Sequence, residues 1–223
     1  VTTIETSRLL LRPWQPDDLA ELTRLLTDPE VTRYIVLSEP FTPQDVAKVA
    51  ARTLEQWEHN GFGPWVAIEK ATGRWVGRIG LNEIVDWPGP EKVEVGWELH
   101  QEFWGRGLAT EGGRASMRYG FEVVRLARIM SATMATNAAS RRVMDKCGLR
   151  FQGELHLPET VVAWYAIDRV HWLASQASHL DRVGAQEGRQ VAAVGLPVPS
   201  VEASRIGLGV GATGLVGGDE MVK

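Results

Sequence analysis

The chain has 223 residues and a mass of 24.6 kDa, room for one large domain or two small ones, and its nine Trp, three Tyr and five Phe exclude disorder as the global state. Lys plus Arg is 24 against 28 Asp plus Glu, a formal charge of −4, so no bulk field draws nucleic acid or an anionic membrane surface. A single cysteine, Cys147, makes neither an internal disulfide nor a thiolate metal site, and no apolar run approaches the ~20 residues of a membrane span.

Residues 1–6 show neither the basic nor the apolar region of a signal peptide, which leads to the expectation of a soluble cytoplasmic protein. Leu9 to Trp14 reads as a first strand. Asp17 and Asp18 then open a helix with Leu19, Leu22, Leu25 and Leu26 on one face, ended by Asp28-Pro29. Thr42-Pro43-Gln44-Asp45 is an N-cap with proline at the first helical position; Val46, Val49, Ala50, Leu54 and Trp57 follow at helical spacing, closed by Asn60-Gly61. Two strands, Trp65 to Lys70 and Trp75 to Val85, flank a turn at Ala71 to Gly73 and form an antiparallel hairpin. A loop from Asp86 to Pro90 leads to a strand over Val93 to Leu99. That strand enters the glycine-rich Trp104-Gly-Arg-Gly107, after which a helix is expected over Thr110 to Val124. Ile129 to Ala135 is a strand, Asn137 to Cys147 a helix with Gly148 at its end, and late strands lie around Phe151 and over Val161 to Ile167. The class is mixed α/β.

A glycine-rich turn that opens a helix exposes backbone N–H groups and the positive end of a helix dipole, the ingredients of a phosphate site. Alone, such a turn equally serves to pack strand against helix. Its partners are Thr6-x-Arg8-Leu-x-Leu-Arg12, Gly96-Trp-x-Leu99, Trp104-Gly-x-Gly-x-Ala-Thr-Glu111, Asn137-x-x-Ser140 and Lys146-x-Gly148. Together these segments, spanning roughly residues 4 to 173, resemble the GNAT acetyltransferase superfamily, most closely its RimJ/RimL-like branch. The resemblance implies a twisted mixed sheet, splayed at its centre and flanked by helices, with acetyl-CoA in the opening and no metal. It places the pyrophosphate on the turn formed by Gly105, Arg106, Gly107, Leu108, Ala109 and Thr110, with Trp104, just before that turn, also at the co-substrate. The pantetheine amides then pair with the backbone of Trp97, Glu98 and Leu99, and Asn137 and Ser140 touch the co-substrate from the next strand's end. The expected domain runs over 1–173.

Acetyl transfer needs a deprotonated amine, and freeing a lysine amine at pH 7 costs roughly 4.6 kcal/mol against about 1 for an α-amine. Two carboxylates compete for the role of base. Glu94 comes first because alternation along Val93-Glu94-Val95 sets it opposite its apolar neighbours; Glu83, near the end of the preceding strand, is second, and Glu98 a weaker third. Each is equally well read as a solvated strand carboxylate. Many GNAT enzymes place a tyrosine acid four residues after the serine of Asn-x-x-Ser, and here Met144 stands there. Ser140 remains a candidate donor, with a hydrogen bond near the helix start as its plainer role. The acceptor is a peptide N-terminus or a small-molecule amine. The rival function is a GNAT-fold module that binds acyl-CoA without transferring it.

Other signals are discounted. Gly209-Val-Gly-Ala-Thr-Gly214 imitates a dinucleotide-binding motif, but only nine residues follow it. The five histidines show no metal-ligand spacing, Cys147 reads as packing, and Trp87 as an aromatic capping the sheet end. Residues 174–223 contain no aromatic residue and nine of the 23 Gly. They form either a loose tail or an arm that docks on a partner subunit in a homo-oligomer.

Overall fold

A computed structural model describes residues 2–35, 40–84 and 87–176. The expectations for residues 177–223, including the Gly209 to Gly214 motif and the choice between loose tail and docking arm, lie outside the described residues, as does Asp86.

Eight strands form one sheet: β1 (Ile4–Glu5), β2 (Leu9–Arg12), β3 (Pro64–Glu69), β4 (Trp75–Glu83), β5 (Val93–Leu99), β6 (Arg128–Met134), β7 (Arg150–His156) and β8 (Val161–Asp168), in the order β1-β2-β3-β4-β5-β6-β8-β7. Every pairing is antiparallel except β5 with β6. The helices are α1 (Leu19–Leu26), α2 (Pro29–Thr32), α3 (Pro43–Asn60), α4 (Leu108–Glu122) and α5 (Ala138–Cys147), with a further helix over 169–176.

Local chemistry accounts for the helix ends. At α3 the Thr42 hydroxyl accepts the Asp45 N–H at 3.3 Å and the Asp45 carboxylate accepts the Thr42 N–H at 3.2 Å, a reciprocal cap with Pro43 at the first position. Gly61 closes the helix at φ 69°, the left-handed conformation that a glycine adopts without strain. Two features carry too little pattern to be read in advance. These are the two-residue β1 and the single turn of α2, which Asp28 caps through the Glu30 N–H. Leu19 and Leu54 fall on helical apolar spacing yet are exposed, because Leu22, Leu25, Leu26, Val46 and Ala50 suffice to seal α1 against α3.

On one face of the sheet two apolar clusters lie side by side. Leu9, Leu11, Trp65, Ile79, Phe103 and Leu108 build the first; Val95, Met117, Phe121, Ile129, Met144 and Tyr165 build the second. Trp97 packs against both. Helix α4 presses into this face through Gly112, where a Cβ would come within 2.6 Å of Ile79 Cδ1. Alternation turns Arg78, Asn82 and Glu94 to the opposite face, beneath α3.

The centre of the sheet is open. β5 keeps a seven-residue register with β4, Val93 to Leu99, but on its other side only Glu94 is in register, with Met130 of β6. From Val95 onward that edge of β5 has no partner strand among the described residues, which leaves its N–H and C=O groups to be met by something other than sheet.

Candidate active site

The glycine-rich turn sits where β5 ends. Gly105 and Gly107 both take left-handed backbone, at φ 72° and 77°, and nothing lies within 4 Å of where a Cβ at Gly105 would stand. Gly107 precedes the first turn of α4, and the Glu111 N–H is the first to find its helical carbonyl, that of Gly107, at 3.1 Å. The N–H groups of Leu108, Ala109 and Thr110 are thus presented at a helix start next to a turn whose Gly105 bears no neighbouring side chain, an arrangement that fits a pyrophosphate. The Trp104 indole folds back and donates to the Leu99 carbonyl at 2.7 Å.

A knot of residues from the start of the chain fastens this turn. The Glu111 carboxylate accepts hydrogen bonds from the Thr6 hydroxyl (2.6 Å), the Ser7 hydroxyl (3.0 Å), the Arg8 N–H (2.8 Å) and the Arg8 guanidinium (2.6 Å). The same guanidinium donates to the Arg106 carbonyl at 2.7 Å. Arg106 itself is paired with Glu69 and lies over the Phe103 ring, so its charge is already engaged within the protein. The sequence motifs contain Thr6, Arg8 and Glu111, but their role in positioning the turn is visible only once residues more than a hundred apart are brought together.

Asn137 caps α5: its side-chain oxygen accepts the Ser140 N–H at 3.0 Å, and its Nδ2 donates to the Thr133 hydroxyl at 3.1 Å. The Ser140 hydroxyl makes no hydrogen bond among the described residues and remains available to a ligand. Met144, four residues after Ser140, is fully buried in the second apolar cluster. Cys147 packs under Gly113, and burial pushes its thiol up to about 12, so it is neither thiolate nor nucleophile at neutral pH.

Glu94 stands where β5 and β6 part. Its Oε1 accepts the Ala132 N–H of β6 at 3.2 Å, bridging the top of the opening. Burial pushes its carboxyl up to about 7, with the negative charge of Glu98 adding to the shift and the Ala132 N–H and Arg78 opposing it. A carboxyl poised near neutrality accepts a proton readily and returns it readily. Glu98 is held at one remove by Arg78, whose Nε and Nη2 reach its two oxygens at 2.8 and 3.1 Å. Glu83 is exposed and accepts a hydrogen bond from Asn60 Nδ2 at 3.0 Å. Glu83 and Glu94 nevertheless line one cavity of about 260 Å³ between α3 and the sheet. Trp87 packs edge-on against Trp164 at 5.8 Å and donates to Glu91.

Residues 8–150 match the family model described as an acetyltransferase (GNAT) domain. The chain belongs to the GNAT acetyltransferase family. Among curated proteins, this GNAT chain is 33% identical over 199 residues to the FsC-acetyl coenzyme A-N(2)-transacetylase of Aspergillus fumigatus, covering 81% of this chain and 82% of the relative. Among solved structures it is similar to a GNAT-family acetyltransferase from Bacillus anthracis, with a TM-score of 0.64 at 25% identity over 75% of this chain and 99% of the other. It also shares the fold of RimL, a ribosomal L7/L12 α-N-protein acetyltransferase solved in complex with coenzyme A, with a TM-score of 0.61 at 17% identity over 75% and 98% of the two chains. The GNAT fold and N-acetyltransferase activity follow from this membership.

A substitution in the turn separates binding from folding. In Gly107→Val a β-branched residue would occupy φ 77°, at a backbone cost of roughly 1–2 kcal/mol, and its side chain would press on the Arg8 guanidinium that fastens the turn, whose Nη2 lies 3.5 Å from the Cβ position. Acetyl-CoA affinity, followed by calorimetry, is expected to fall at least tenfold while the far-UV circular dichroism stays unchanged.

Proposed function

We propose that this GNAT chain transfers acetyl directly from acetyl-CoA to a primary amine entering the cavity between α3 and the β4–β5 face, with Glu94 as the base. The observation that carries this reading is the position of Glu94, at the opening of the sheet and in the wall of that cavity. Acetyl-CoA supplies the acyl thioester when bound. The turn from Trp104 to Thr110 would hold its pyrophosphate, the unpaired edge of β5 from Trp97 to Leu99 its amides, and Ser140 would approach it from α5. Glu94 would take a proton from the acceptor ammonium, directly or through water. The freed nitrogen then forms the C–N bond as the C–S bond breaks, and the thiol leaves with a proton. N–H groups on the β5 edge that has no partner strand would be available to the carbonyl oxygen as it gains charge.

The motifs support placement in the RimJ/RimL-like branch and a catalytic domain over 1–173. The acceptor is an α-amine or another primary amine, a reading supported by the N(2) in the name of the Aspergillus relative. A second reading, an acyl-CoA-binding module without transfer, is favoured by one observation, the buried Met144 in place of a tyrosine acid. Incubation with acetyl-CoA and an amine library, following free thiol, separates the two. Amine-dependent thiol release is expected; saturable acetyl-CoA binding with no release from any amine would establish the second reading instead.

A further inference from the structure

The walls of the 260 Å³ cavity carry charges of both signs that the protein leaves incompletely paired. Arg52, on the exposed side of α3, has no carboxylate partner among the described residues; its one hydrogen bond, to the Glu83 carbonyl, is long at 3.4 Å. Arg78 spends Nε and Nη2 on Glu98, and its Nη1 has no partner among the described residues. Asn82 lines the same cavity with an amide that makes no side-chain hydrogen bond among them. The Gln56 Oε1 is buried, the residue being only 7% exposed, and has no donor among the described residues. The carboxyl groups of Glu83 and Glu94 line the same cavity.

An uncharged or purely cationic amine would displace water from this cavity and leave the guanidinium N–H groups and the amides unsatisfied. A polycation would also meet two arginines. A ligand with an ammonium at one end and a carboxylate at the other satisfies both signs, and a cavity of this size holds an amino acid rather than a folded chain. Resting on the transfer reading above, we propose that the acceptor is a zwitterionic amine of amino-acid size. Its ammonium lies between Glu83 and Glu94, and its carboxylate is held by Arg52 at the mouth and by the free Nη1 of Arg78 within. Arg52 is then a specificity-determining residue that acts on the acceptor alone.

The test compares amino acids with two analogues of each, the amide and the decarboxylated amine, together with tripeptides of the same N-terminal residue. The enzyme as it stands should favour the free amino acid. Arg52→Gln, which removes an exposed side chain bonded only to a backbone carbonyl, should lower kcat/KM for the amino acid about tenfold, chiefly through KM. The same change should leave the decarboxylated amine and the KM for acetyl-CoA within twofold. Comparing variant with parent for each acceptor cancels the differing basicities of the amines. An equal fall for all acceptors, no fall, or a parent enzyme that prefers tripeptides, amides or decarboxylated amines would overturn the proposal while leaving acetyl transfer intact. If no amine is acetylated, the transfer reading fails. Calorimetry of the amino acid against its decarboxylated amine then decides the cavity's preference, and equal or absent binding of the amino acid overturns the proposal.

Discussion

Glu94→Gln should lower kcat/KM by about 10²–10⁴, the range over which a positioned general base acts. The pH profile should change shape with it. In the parent enzyme kcat/KM rises with pH until Glu94 has lost its proton, at about 7, and then levels, because above that point the carboxylate is fully formed while the acceptor is still almost wholly the ammonium that Glu94 deprotonates. Without that carboxylate only the free amine reacts, so the variant should show no break near 7 and climb about tenfold per pH unit toward the amine's own pKa. A variant that keeps the break would remove Glu94 from the role of base.

The same substitution carries a signed effect on stability. Glu94 is raised from its ordinary 4.5 to about 7, so between those values the native state holds a proton that the unfolded chain has lost. Stability is therefore fully present below about pH 4.5, declines as pH rises through 7 and stays lowered above it. Glutamine remains uncharged, and Glu94→Gln should be more stable than the parent at pH 8 by up to about 3 kcal/mol, with the difference shrinking toward pH 5. Melting curves across that range would show it. A gain in stability joined to a loss of rate is the expected mark of a group kept for chemistry rather than packing.

Gly77→Ala is expected to be the more damaging change to the fold. Gly77 lies opposite Leu99 in the β4–β5 register. A Cβ there would run into the Glu98 carbonyl oxygen, with Leu99 Cα at 2.8 Å and Glu98 C at 3.0 Å. These are backbone atoms, which cannot swing aside, so β5 must move away from β4 at a cost on the order of 3 kcal/mol or more. For a chain of this size that lowers the melting temperature by about 10 °C. The displaced segment is the one proposed to meet the pantetheine amides, so acetyl-CoA affinity should fall as well. Gly96→Ala supplies the contrast: its Cβ meets only Asn82 Nδ2, at 3.7 Å, and its melting temperature should stay within a few degrees of the parent. Equal losses from the two would show that the β4–β5 approach is not tight at Gly77.

These residues also show what was legible before the fold was known. Helices α3 and α5 announce themselves because their caps are local chemistry, Thr42 with Asp45 and Asn137 with Ser140, all within three residues. Glu94 stands out because strand alternation is equally local. What alternation does not reveal is that its oxygen meets an N–H 38 residues further on, the contact that fixes it at the opening. Glu111 illustrates the same limit: its place in a motif is visible, but four donors from Thr6, Ser7 and Arg8 make it an anchor, and they converge on it through the sheet. The exposure of Leu19 and Leu54 was illegible for a related reason, since which part of an apolar stripe is covered depends on the crossing of α1 and α3 rather than on either sequence.

The lone register pair between β5 and β6 has a mechanical meaning. Beyond it the gap is spanned by side chains and not by strand pairing, since the second apolar cluster joins Leu81, Val93 and Val95 on one side of the seam to Ile129, Ala163 and Tyr165 on the other. The two walls therefore rest on one shared core. A molecule that bridges their free backbone edges acts as a keystone, completing with hydrogen bonds a span that the core alone supports.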